Sequence, residues 1–491
     1  MVLGLSHLTP RRVIIFTSAS VFFWLFIFSL SPITSPLPPY TGPHEVGILD
    51  VETEVKKRVI HDAILKETGQ NAFEMSTLAI TLYYPTSLPL VSPSKRPWAR
   101  PWLPQPISLI GKGYARLAGV SFAPLQSLFT LGLWLTGSGT VIPGVVDAPI
   151  LTSAEGSGAG SSGEVMEQEE HHELKRDDKS GTLPCVVFTH GMAGMSQSYS
   201  HYLGSIASHG YVVAAIEHRD GSGPGTIVHY PNGTEKTVWH MKLKDLDSTP
   251  PMTELDLKAA QLAFREAEIV ETIKLFAQLN AGNAPVVNLK PDSPCEALPG
   301  FKDRLNLDAV TVAGHSYGAT GAMQALKSAG TPTMRINGGL ALDPGKESGP
   351  LNKEIDVPLL VLQSGEWTNK QVDFYGQGPH FEVVRRIVER VRHGWFMTLT
   401  GSAHPSCTDA PLILPWIMKL VTGTTLNPRI ALLNYIDASV AFLRFLRTGE
   451  KTGLLAIPPT SKAGPLGDKD KRGTTPGLDG AKWEVHVVPR D

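Results

Sequence analysis

A serine between two glycines lies at residues 314–318, in the pattern Gly-X-Ser-X-Gly (GHSYG). An uncharged β-branched run precedes it at residues 309–313, and a helix-prone segment follows it. A strand, a tight turn and a helix in this order form a nucleophile elbow, in which glycines permit a strained turn and close backbone packing. The pattern therefore predicts that Ser316 is a nucleophile, in preference to an ordinary turn residue.

This serine needs a base, because a hydroxyl attacks poorly until a neighbouring group accepts its proton. In α/β-hydrolases that base is a histidine later in the chain. His380 and His393 fall within or at the ends of a predicted helix, residues 381–392, and are expected on the surface. His404 follows the last predicted strand, in the loop TGSAHPS, and is therefore the predicted base.

Two acidic residues compete for the role of orienting the base. Asp343 ends one predicted strand (GGLALDP) and Glu366 follows the next (LLVLQSGEW), so both are expected at the same edge of the sheet. The chain order of an α/β-hydrolase permits either, and the pattern alone leaves both open. Asp409 follows His404 closely and is expected to stabilise its loop.

An oxyanion hole requires backbone N–H groups directed at the place where negative charge develops. One donor is expected from Tyr317, directly after the nucleophile. The second is expected from the loop HGMAG at residues 190–194, which follows a predicted strand. Met192 is the candidate there, because the glycines on either side of it let the loop approach closely.

The elements around these residues alternate between short apolar runs and amphipathic segments, a pattern typical of a parallel sheet with crossover helices. Predicted strands lie at residues 78–84, 185–189, 211–216, 309–313, 338–342, 359–363 and 395–399, and the clearest helices at 254–279, 381–392 and 429–447. The predicted fold is α/β, of the α/β-hydrolase type, with helices on both faces of a mostly parallel sheet. Ligands are expected beyond the carboxyl ends of its strands.

The chain divides by composition into three parts. Residues 1–43 are predicted to be a membrane anchor or signal with a Pro/Ser/Thr linker, and residues 44–450 a catalytic domain. A Gly/Ser-rich and then highly charged stretch, 153–181, is predicted to be a disordered insertion, because it has too little apolar surface to order itself. Residues 451–491, rich in Pro, Gly, Lys and Asp, are predicted to be a disordered tail.

The first of these parts carries Arg11 and Arg12 before an uncharged run, 13–30, that is long enough to cross a bilayer. Its length favours an uncleaved, single-pass signal anchor with the catalytic domain on the lumenal or extracellular side. Cleavage of the segment would instead give a secreted protein. The sequon Asn232-Gly233-Thr234 is compatible with glycosylation on that side.

Overall composition narrows the possible partners. The 491 residues carry a formal net charge of −2 with both signs dispersed, which argues against nucleic-acid binding. Three cysteines support neither a disulfide scaffold nor a paired zinc site.

A second uncharged stretch, 117–135, is expected to be a helical cap or a surface that touches lipid, with plain core as the alternative. The oligomeric state is left open.

Five segments together resemble the platelet-activating factor acetylhydrolase family, the calcium-independent serine lipases also called group VII phospholipases A2. They are THGMAG, ASHGYVVAAIEHRDGSG, GHSYGA, GLALD and the SAH loop. Within them, EHRD at residues 217–220 is more discriminating than the elbow, because four polar residues rarely end a buried strand together.

This resemblance implies a role for each matching position. Ser316 would be the nucleophile, Asp343 the acid and His404 the base, with Met192 and Tyr317 supplying the oxyanion hole. The implied reaction is hydrolysis of the sn-2 ester of platelet-activating factor, or of phospholipids with short or oxidised sn-2 chains, without a metal or other cofactor.

Two other interpretations use the same residues. One is a carboxylesterase or peptidase with the same triad acting on other substrates. The other is an α/β-hydrolase scaffold kept for binding after catalysis was lost. The presence of all three triad residues favours an enzyme, because loss of any one collapses activity.

Overall fold

The computed structural model describes residues 34–89, 100–152, 181–282, 286–291, 293–329, 335–460 and 473–490. The predicted membrane anchor at 13–30 and almost all of the predicted insertion at 153–181 lie outside the described residues. Within the described part of the chain, no helix is both long enough and apolar enough to cross a bilayer.

A twelve-stranded mixed sheet forms the centre of the protein, in the order β10-β1-β2-β7-β6-β11-β12-β13-β14-β16-β15, with β5 beside β1. Pairings from β7 through β6, β11, β12 and β13 to β14 are parallel, and the outer pairings along the order are antiparallel. The strands are β1 (Glu45–Leu65), β2 (Asn71–Thr86), β3 (Arg100–Pro101), β4 (Val141–Ile142), β5 (Val145–Val146), β6 (Leu183–Thr189), β7 (Val212–Ile216), β8 (Gly225–His229), β9 (Glu235–Trp239), β10 (Leu246–Asp247), β11 (Leu305–His315), β12 (Ile336–Leu342), β13 (Leu359–Ser364), β14 (Gly394–Leu399), β15 (Thr475–Pro476) and β16 (Lys482–Val487).

Helices cover both faces of this sheet, as α/β sheets require. They are α1 (Ile107–Leu117), α2 (Ala123–Gly137), α3 (Ser200–Ser208), α4 (Glu254–Ala281), α5 (Tyr317–Ala325), α6 (Gly365–Asn369), α7 (His380–Val388), α8 (Ala410–Ile413), α9 (Pro415–Thr422) and α10 (Pro428–Thr448). One apolar core lies under α4, α5 and α7. A second lies under α3 and α10.

The central strands have the burial that their apolar runs predicted. Every residue of β6, β7, β13 and β14 is buried, because helices pack on both sides of each strand. All seven predicted strands and the three clearest predicted helices are present, with ends shifted by up to seven residues, the largest shift being at the start of β2. The α/β prediction is confirmed. Because β6, β11, β12 and β13 are parallel, their carboxyl ends lie at one edge of the sheet.

The predicted disordered tail at 451–491 is wrong over part of its length. Strand β16 (Lys482–Val487) pairs antiparallel with β14 and extends the sheet. Trp483 is completely buried and its indole N–H donates to Asn434 Oδ1 of α10 at 3.1 Å. The tail composition is polar on average, but Trp483, Val485 and Val487 of this strand are buried, and β14 supplies the hydrogen-bonding partner.

The surface prediction for one histidine is also wrong. His380 begins α7 and is almost fully buried, with its ring packed edge-on against Phe374 at a centroid distance of 4.9 Å. Burial lowers the pKa of His380 to about 3, so its ring is neutral. The expectation failed because the loop before α7 folds over the start of the helix.

Candidate active site

Ser316 lies at the turn between β11 and α5 with φ 57° and ψ −119°, a conformation that L-residues rarely adopt. Its N–H donates to Leu342 O at 2.9 Å. A Cβ on Gly314 would lie 2.3 Å from Gly318 O, and one on Gly318 would lie 2.0 Å from Thr189 O. Both glycines are therefore required by close backbone contacts, and the segment has the geometry of a nucleophile elbow.

The two side chains predicted to act with Ser316 lie next to it. His404 Nε2 is 3.0 Å from Ser316 Oγ, and His404 Nδ1 is 2.9 Å from Asp343 Oδ2. Asp343 is nearly fully buried, and the His404 ring retains partial exposure. The three groups form one chain of hydrogen bonds in which the imidazole can accept the serine proton while the carboxylate holds the opposite ring nitrogen.

The two candidate acids occupy different positions. Asp343 is held facing the histidine by Ser364, whose N–H donates to Oδ1 at 2.7 Å and whose hydroxyl donates to Oδ2 at 2.8 Å. Glu366 is exposed, and its Oε2 accepts the backbone N–H of His404 at 2.9 Å. The structure therefore brings Asp343 to the imidazole and Glu366 to the main chain of the same residue.

The predicted oxyanion loop lies beside Ser316. A Cβ on Gly191 would be 3.1 Å from Ser316 Cβ, so this position is in direct contact with the elbow. The Gly191 N–H donates to Tyr199 Oη at 3.1 Å, and the Ala193 N–H donates to Ser222 O at 2.8 Å. These bonds fix the loop on both sides of Met192.

His315, inside the elbow, links this loop to the histidine loop. The Tyr199 hydroxyl lies 2.8 Å from His315 Nδ1, and His315 Nε2 lies 3.0 Å from His404 O. Burial lowers the pKa of His315 well below its ordinary value, so the ring is neutral, donating through Nε2 and accepting at Nδ1. Its position as the variable residue of Gly-X-Ser-X-Gly was visible in the sequence, but its partner Tyr199 was not.

Trp367 is a further residue that sequence reasoning missed. Its ring stacks on His404 with a centroid distance of 3.8 Å and an interplanar angle of 11°. The indole N–H donates to Pro344 O at 2.9 Å, and the Lys346 ammonium lies 4.4 Å from the ring centroid. Only its location directly after Glu366, at the start of α6, could have suggested proximity to the site.

His315, Asp343 and His404 place potential metal-binding atoms within 4.8 Å of one another. Both nitrogens of each histidine ring are engaged in the hydrogen bonds given above, and Asp343 accepts from Ser364. These atoms therefore already have hydrogen-bonding partners among Ser316, Ser364, Tyr199 and the main chain of His404.

Comparison with known proteins places the chain among lipid-acting relatives. A family model described as "Platelet-activating factor acetylhydrolase, isoform II" matches residues 160–451, more than half of the chain. The platelet-activating factor acetylhydrolase of Canis lupus familiaris is 27% identical over 269 residues, which cover 53% of this chain and 56% of the relative. That of Bos taurus is 27% identical over 277 residues, with the same two coverages.

The chain thus matches just over half the length of these curated relatives. A solved structure of a ferulic acid esterase from Streptomyces cinnamoneus superposes with a TM-score of 0.52 at 18% identity, covering 87% of this chain and 97% of the esterase. This likeness, with the mostly parallel sheet and the elbow, shows the α/β-hydrolase fold. By the family match, the chain belongs to the platelet-activating factor acetylhydrolase family.

Proposed function

We propose that this protein is a serine esterase that hydrolyses the sn-2 ester of glycerophospholipids with short or oxidised sn-2 chains, platelet-activating factor among them. The observation that carries the proposal is the aligned hydrogen-bond chain from Ser316 Oγ to His404 (3.0 Å) and on to Asp343 (2.9 Å). The choice of a phospholipid ester follows the names of the relatives from dog and cattle.

The acylation step uses the hydrogen bonds already in place. His404 Nε2 accepts the Ser316 proton as Oγ attacks the sn-2 carbonyl carbon, and the carbonyl oxygen becomes an oxyanion. The N–H groups of Met192 and Tyr317 are assigned to stabilise that charge. The imidazolium, stabilised by Asp343, then protonates the departing glycerol oxygen, and the lysophospholipid leaves an acyl group on Ser316.

Deacylation repeats this chemistry with water. His404 accepts a proton from a water molecule that attacks the acyl carbon, and the second oxyanion uses the same two N–H donors. The imidazolium returns a proton to Ser316 Oγ as the carboxylic acid leaves. Every proton is carried by the imidazole, so we expect activity to persist in EDTA; strong loss on chelation would contradict this mechanism.

We propose that the protein binds its substrate at a lipid surface. Helices α2 and α9 expose large apolar side chains to solvent: Phe122, Leu125, Leu128, Leu131, Trp134 and Leu135 in or next to α2, and Trp416, Ile417, Leu420 and Val421 in α9. Such exposure by ten large side chains is unusual on a surface that faces only water. We therefore propose that α2, which takes up most of the uncharged stretch 117–135, touches lipid together with α9.

Both helices are connected to the segment that follows His404. Helix α9 begins eleven residues after His404. At the end of α2, a Cβ on Gly137 would lie 3.4 Å from the Trp102 ring, and the Trp102 indole N–H donates to Asp409 Oδ2 at 3.0 Å. An interface that accepts both helices would therefore lie close to the catalytic loop.

Attachment through residues 13–30, with the catalytic domain on the lumenal or extracellular side, is proposed from the apolar run and the preceding arginines. Asn232 is accessible for modification on that side, since it is exposed in the turn of the β8–β9 hairpin, where its Oδ1 accepts the Thr234 hydroxyl at 2.7 Å. Glycosylation at this turn would be seen as a glycosidase-sensitive mass shift that Asn232→Gln removes. An unshifted protein from a secretory host would argue against the proposed side.

A lipid-hydrolysis profile tests the proposed reaction. Full-length protein is assayed on phosphatidylcholines with sn-2 chains of increasing length, on simple p-nitrophenyl esters and on dipeptide amides. We expect preference for short sn-2 chains, fluorophosphonate labelling at Ser316, and loss of both in Ser316→Ala. Preference for simple esters would instead favour a carboxylesterase, the activity class of the ferulic acid esterase that shares the fold.

A further inference from the structure

A buried arginine lies behind the elbow and the oxyanion loop. Arg265 of α4 and Asp220, in the loop after β7, are both 0% exposed, and Arg265 Nε donates to Asp220 Oδ2 at 2.7 Å. Burying a charged pair is costly unless every hydrogen-bonding group finds a partner. The partners of the remaining guanidinium N–H groups therefore indicate what the buried pair does.

The other two nitrogens of Arg265 reach the chain on both sides of Met192. Nη1 donates to His190 O at 2.6 Å, two residues before Met192. Nη2 donates to Ser222 Oγ at 2.6 Å, and Ser222 O accepts the N–H of Ala193, the residue after Met192. One guanidinium thus holds the oxyanion loop directly at its start and through Ser222 at its middle.

The same guanidinium lies against the second expected oxyanion donor. Its central carbon is 4.5 Å from the ring centroid of Tyr317. Gln261, one helical turn before Arg265 on the same face of α4, accepts the Tyr317 hydroxyl at 2.9 Å and donates to Asp220 O at 3.1 Å. Helix α4 therefore fixes the Tyr317 side chain and the oxyanion loop from a single face.

Hydrogen bonds also hold the loop side of this contact. His190 Nδ1 lies 2.9 Å from Gly191 O, and His190 Nε2 accepts the His218 N–H at 3.2 Å. Burial, and then the charge of Arg265, lowers the pKa of His190 to about 3, so the ring is neutral. Burial alone would raise the pKa of Asp220, but Arg265 and Ser222 lower it below its ordinary value.

We propose that Arg265 is a positioning residue that fixes the two oxyanion-hole donors, Met192 and Tyr317, relative to each other. The inference rests on the proposed esterase function and adds to it a residue that does not touch substrate. An arginine suits this role because its planar fork holds several acceptors in fixed directions at once. A lysine could keep the charge opposite Asp220 but could not hold three partners in the same geometry.

The test compares the same substitution, Arg→Lys, at two buried arginines that each bind several acceptors. Arg265→Lys breaks the proposed link. Arg219→Lys is the control, because Arg219 is also buried and forked, with bonds to Thr77 Oγ1 (2.6 Å), Ile227 O (2.7 Å) and Glu52 (2.7 Å), none of which lies in the oxyanion loop. Both full-length variants are titrated with a fluorophosphonate, so that kcat is expressed per active site.

Two readouts separate positioning from general damage. For Arg265→Lys we expect kcat to fall on the order of 10²-fold with KM little changed, because the donors matter most in the transition state. The second readout is inhibition by a trifluoromethyl ketone. Ser316 Oγ adds to the carbonyl carbon of this inhibitor, and the carbonyl oxygen becomes an oxyanion in the oxyanion hole. We expect its Ki to rise by the same factor as kcat/KM falls, and Arg219→Lys to change neither value beyond about threefold.

A milder variant keeps the proposal testable if Arg265→Lys does not fold. Gln261→Met preserves the side-chain length and removes the nearer of two acceptors for the Tyr317 hydroxyl, leaving only Lys258 O at 3.3 Å, so we expect a smaller loss in kcat with a parallel rise in the ketone Ki. The proposal is overturned if Arg265→Lys folds and keeps kcat and the ketone Ki within threefold of wild type. If Arg265→Lys does not fold, the same result for Gln261→Met overturns it. Equal changes in both arginine variants would also overturn it.

Failure of the esterase function would look different. Wild type without fluorophosphonate labelling, or hydrolysis that persists in Ser316→Ala, removes the esterase proposal itself. If wild type is active and depends on Ser316, but Arg265→Lys leaves kcat and the ketone Ki unchanged, only the positioning role is removed.

Discussion

The indole of Trp367 lies flat on the imidazole of His404, 3.8 Å between centroids, with the Lys346 ammonium 4.4 Å from the centroid of the same indole. A histidine between a serine and a carboxylate must turn little while it accepts a proton twice and donates one twice in each turnover. The stacked indole restricts that ring, and its own N–H bond to Pro344 O restricts the indole.

Replacing the stacked ring should therefore slow turnover. Trp367→Leu is expected to lower kcat about 2- to 12-fold, since an aromatic pair contributes about 0.5–1.5 kcal/mol beyond its burial. Trp367→Phe retains a ring and should recover most of the loss. The pH profile of kcat measures whether the histidine titrates differently without the indole. Equal rates for wild type and Trp367→Leu would remove this role.

The positions of the two acids lead to opposite outcomes for their amide variants. Asp343→Asn is expected to reduce kcat by about 10⁴-fold, because the amide no longer stabilises the imidazolium or fixes its tautomer. Glu366→Gln should cost less than about tenfold, since an amide oxygen can still accept the His404 N–H. Steady-state kinetics on one short-chain phosphatidylcholine compares them, and the reverse ranking would exchange their roles.

The hydroxyl of Tyr199 joins the oxyanion loop to His315, and its removal leaves buried partners unsatisfied. Tyr199→Phe is expected to lower the free energy of unfolding by about 1–3 kcal/mol and to lower kcat as well. Tyr202→Phe is the matched control, because its buried hydroxyl bonds only Ser439 Oγ at 2.7 Å among the contacts described. Urea unfolding and kinetics of both variants check this; equal kcat values would deny the link.

The pKa of Lys346 predicts a dependence of stability on pH. Burial lowers this pKa from 10.5 to about 8 in the folded protein. Between these values the unfolded chain binds more protons, so the contribution of Lys346 to stability is greatest above pH 10.5 and is lost as the pH falls to 8. The difference in unfolding free energy between wild type and Lys346→Met should follow this slope, and a difference that is flat from pH 8 to 10.5 would contradict it.

The exposed apolar side chains of α2 and α9 predict weaker lipid binding when they are made polar. In a chain that begins at residue 34, so that the proposed anchor at 13–30 is absent, a variant with Leu128→Gln, Trp134→Gln, Trp416→Gln and Leu420→Gln is expected to lose sedimentation with phosphatidylcholine vesicles while hydrolysing a dissolved ester normally. Val287→Gln, at an equally exposed apolar position elsewhere, serves as the control. Unchanged vesicle binding would leave these helices without the proposed role.

Sequence patterns predicted the parts of the site that lie at strand ends. Ser316, Asp343 and His404 each follow an apolar run, so their approach to one edge could be expected from a parallel sheet. The same reasoning could not separate Asp343 from Glu366, because both follow strands at that edge. The choice depends on Ser364, whose backbone and hydroxyl direct the Asp343 carboxylate toward the ring.

Contacts between distant segments were beyond that reasoning. Arg265 is one charged residue among several in an amphipathic helix, and nothing in its local pattern shows that it is buried beside Asp220. Strand β16 was missed for a related reason: its short alternation is weak, and its order comes from β14 and from the pocket that receives Trp483. Burial of a polar or short segment is decided by its partners.

The pairing of β16 with β14 has a consequence for biosynthesis. During translation the strand at residues 394–399 emerges well before residues 482–487, so its free hydrogen-bonding side stays open while the rest of the sheet assembles. Unpaired strand edges readily recruit other chains. We therefore expect nascent chains of this protein to be prone to edge-to-edge association until β16 has left the ribosome.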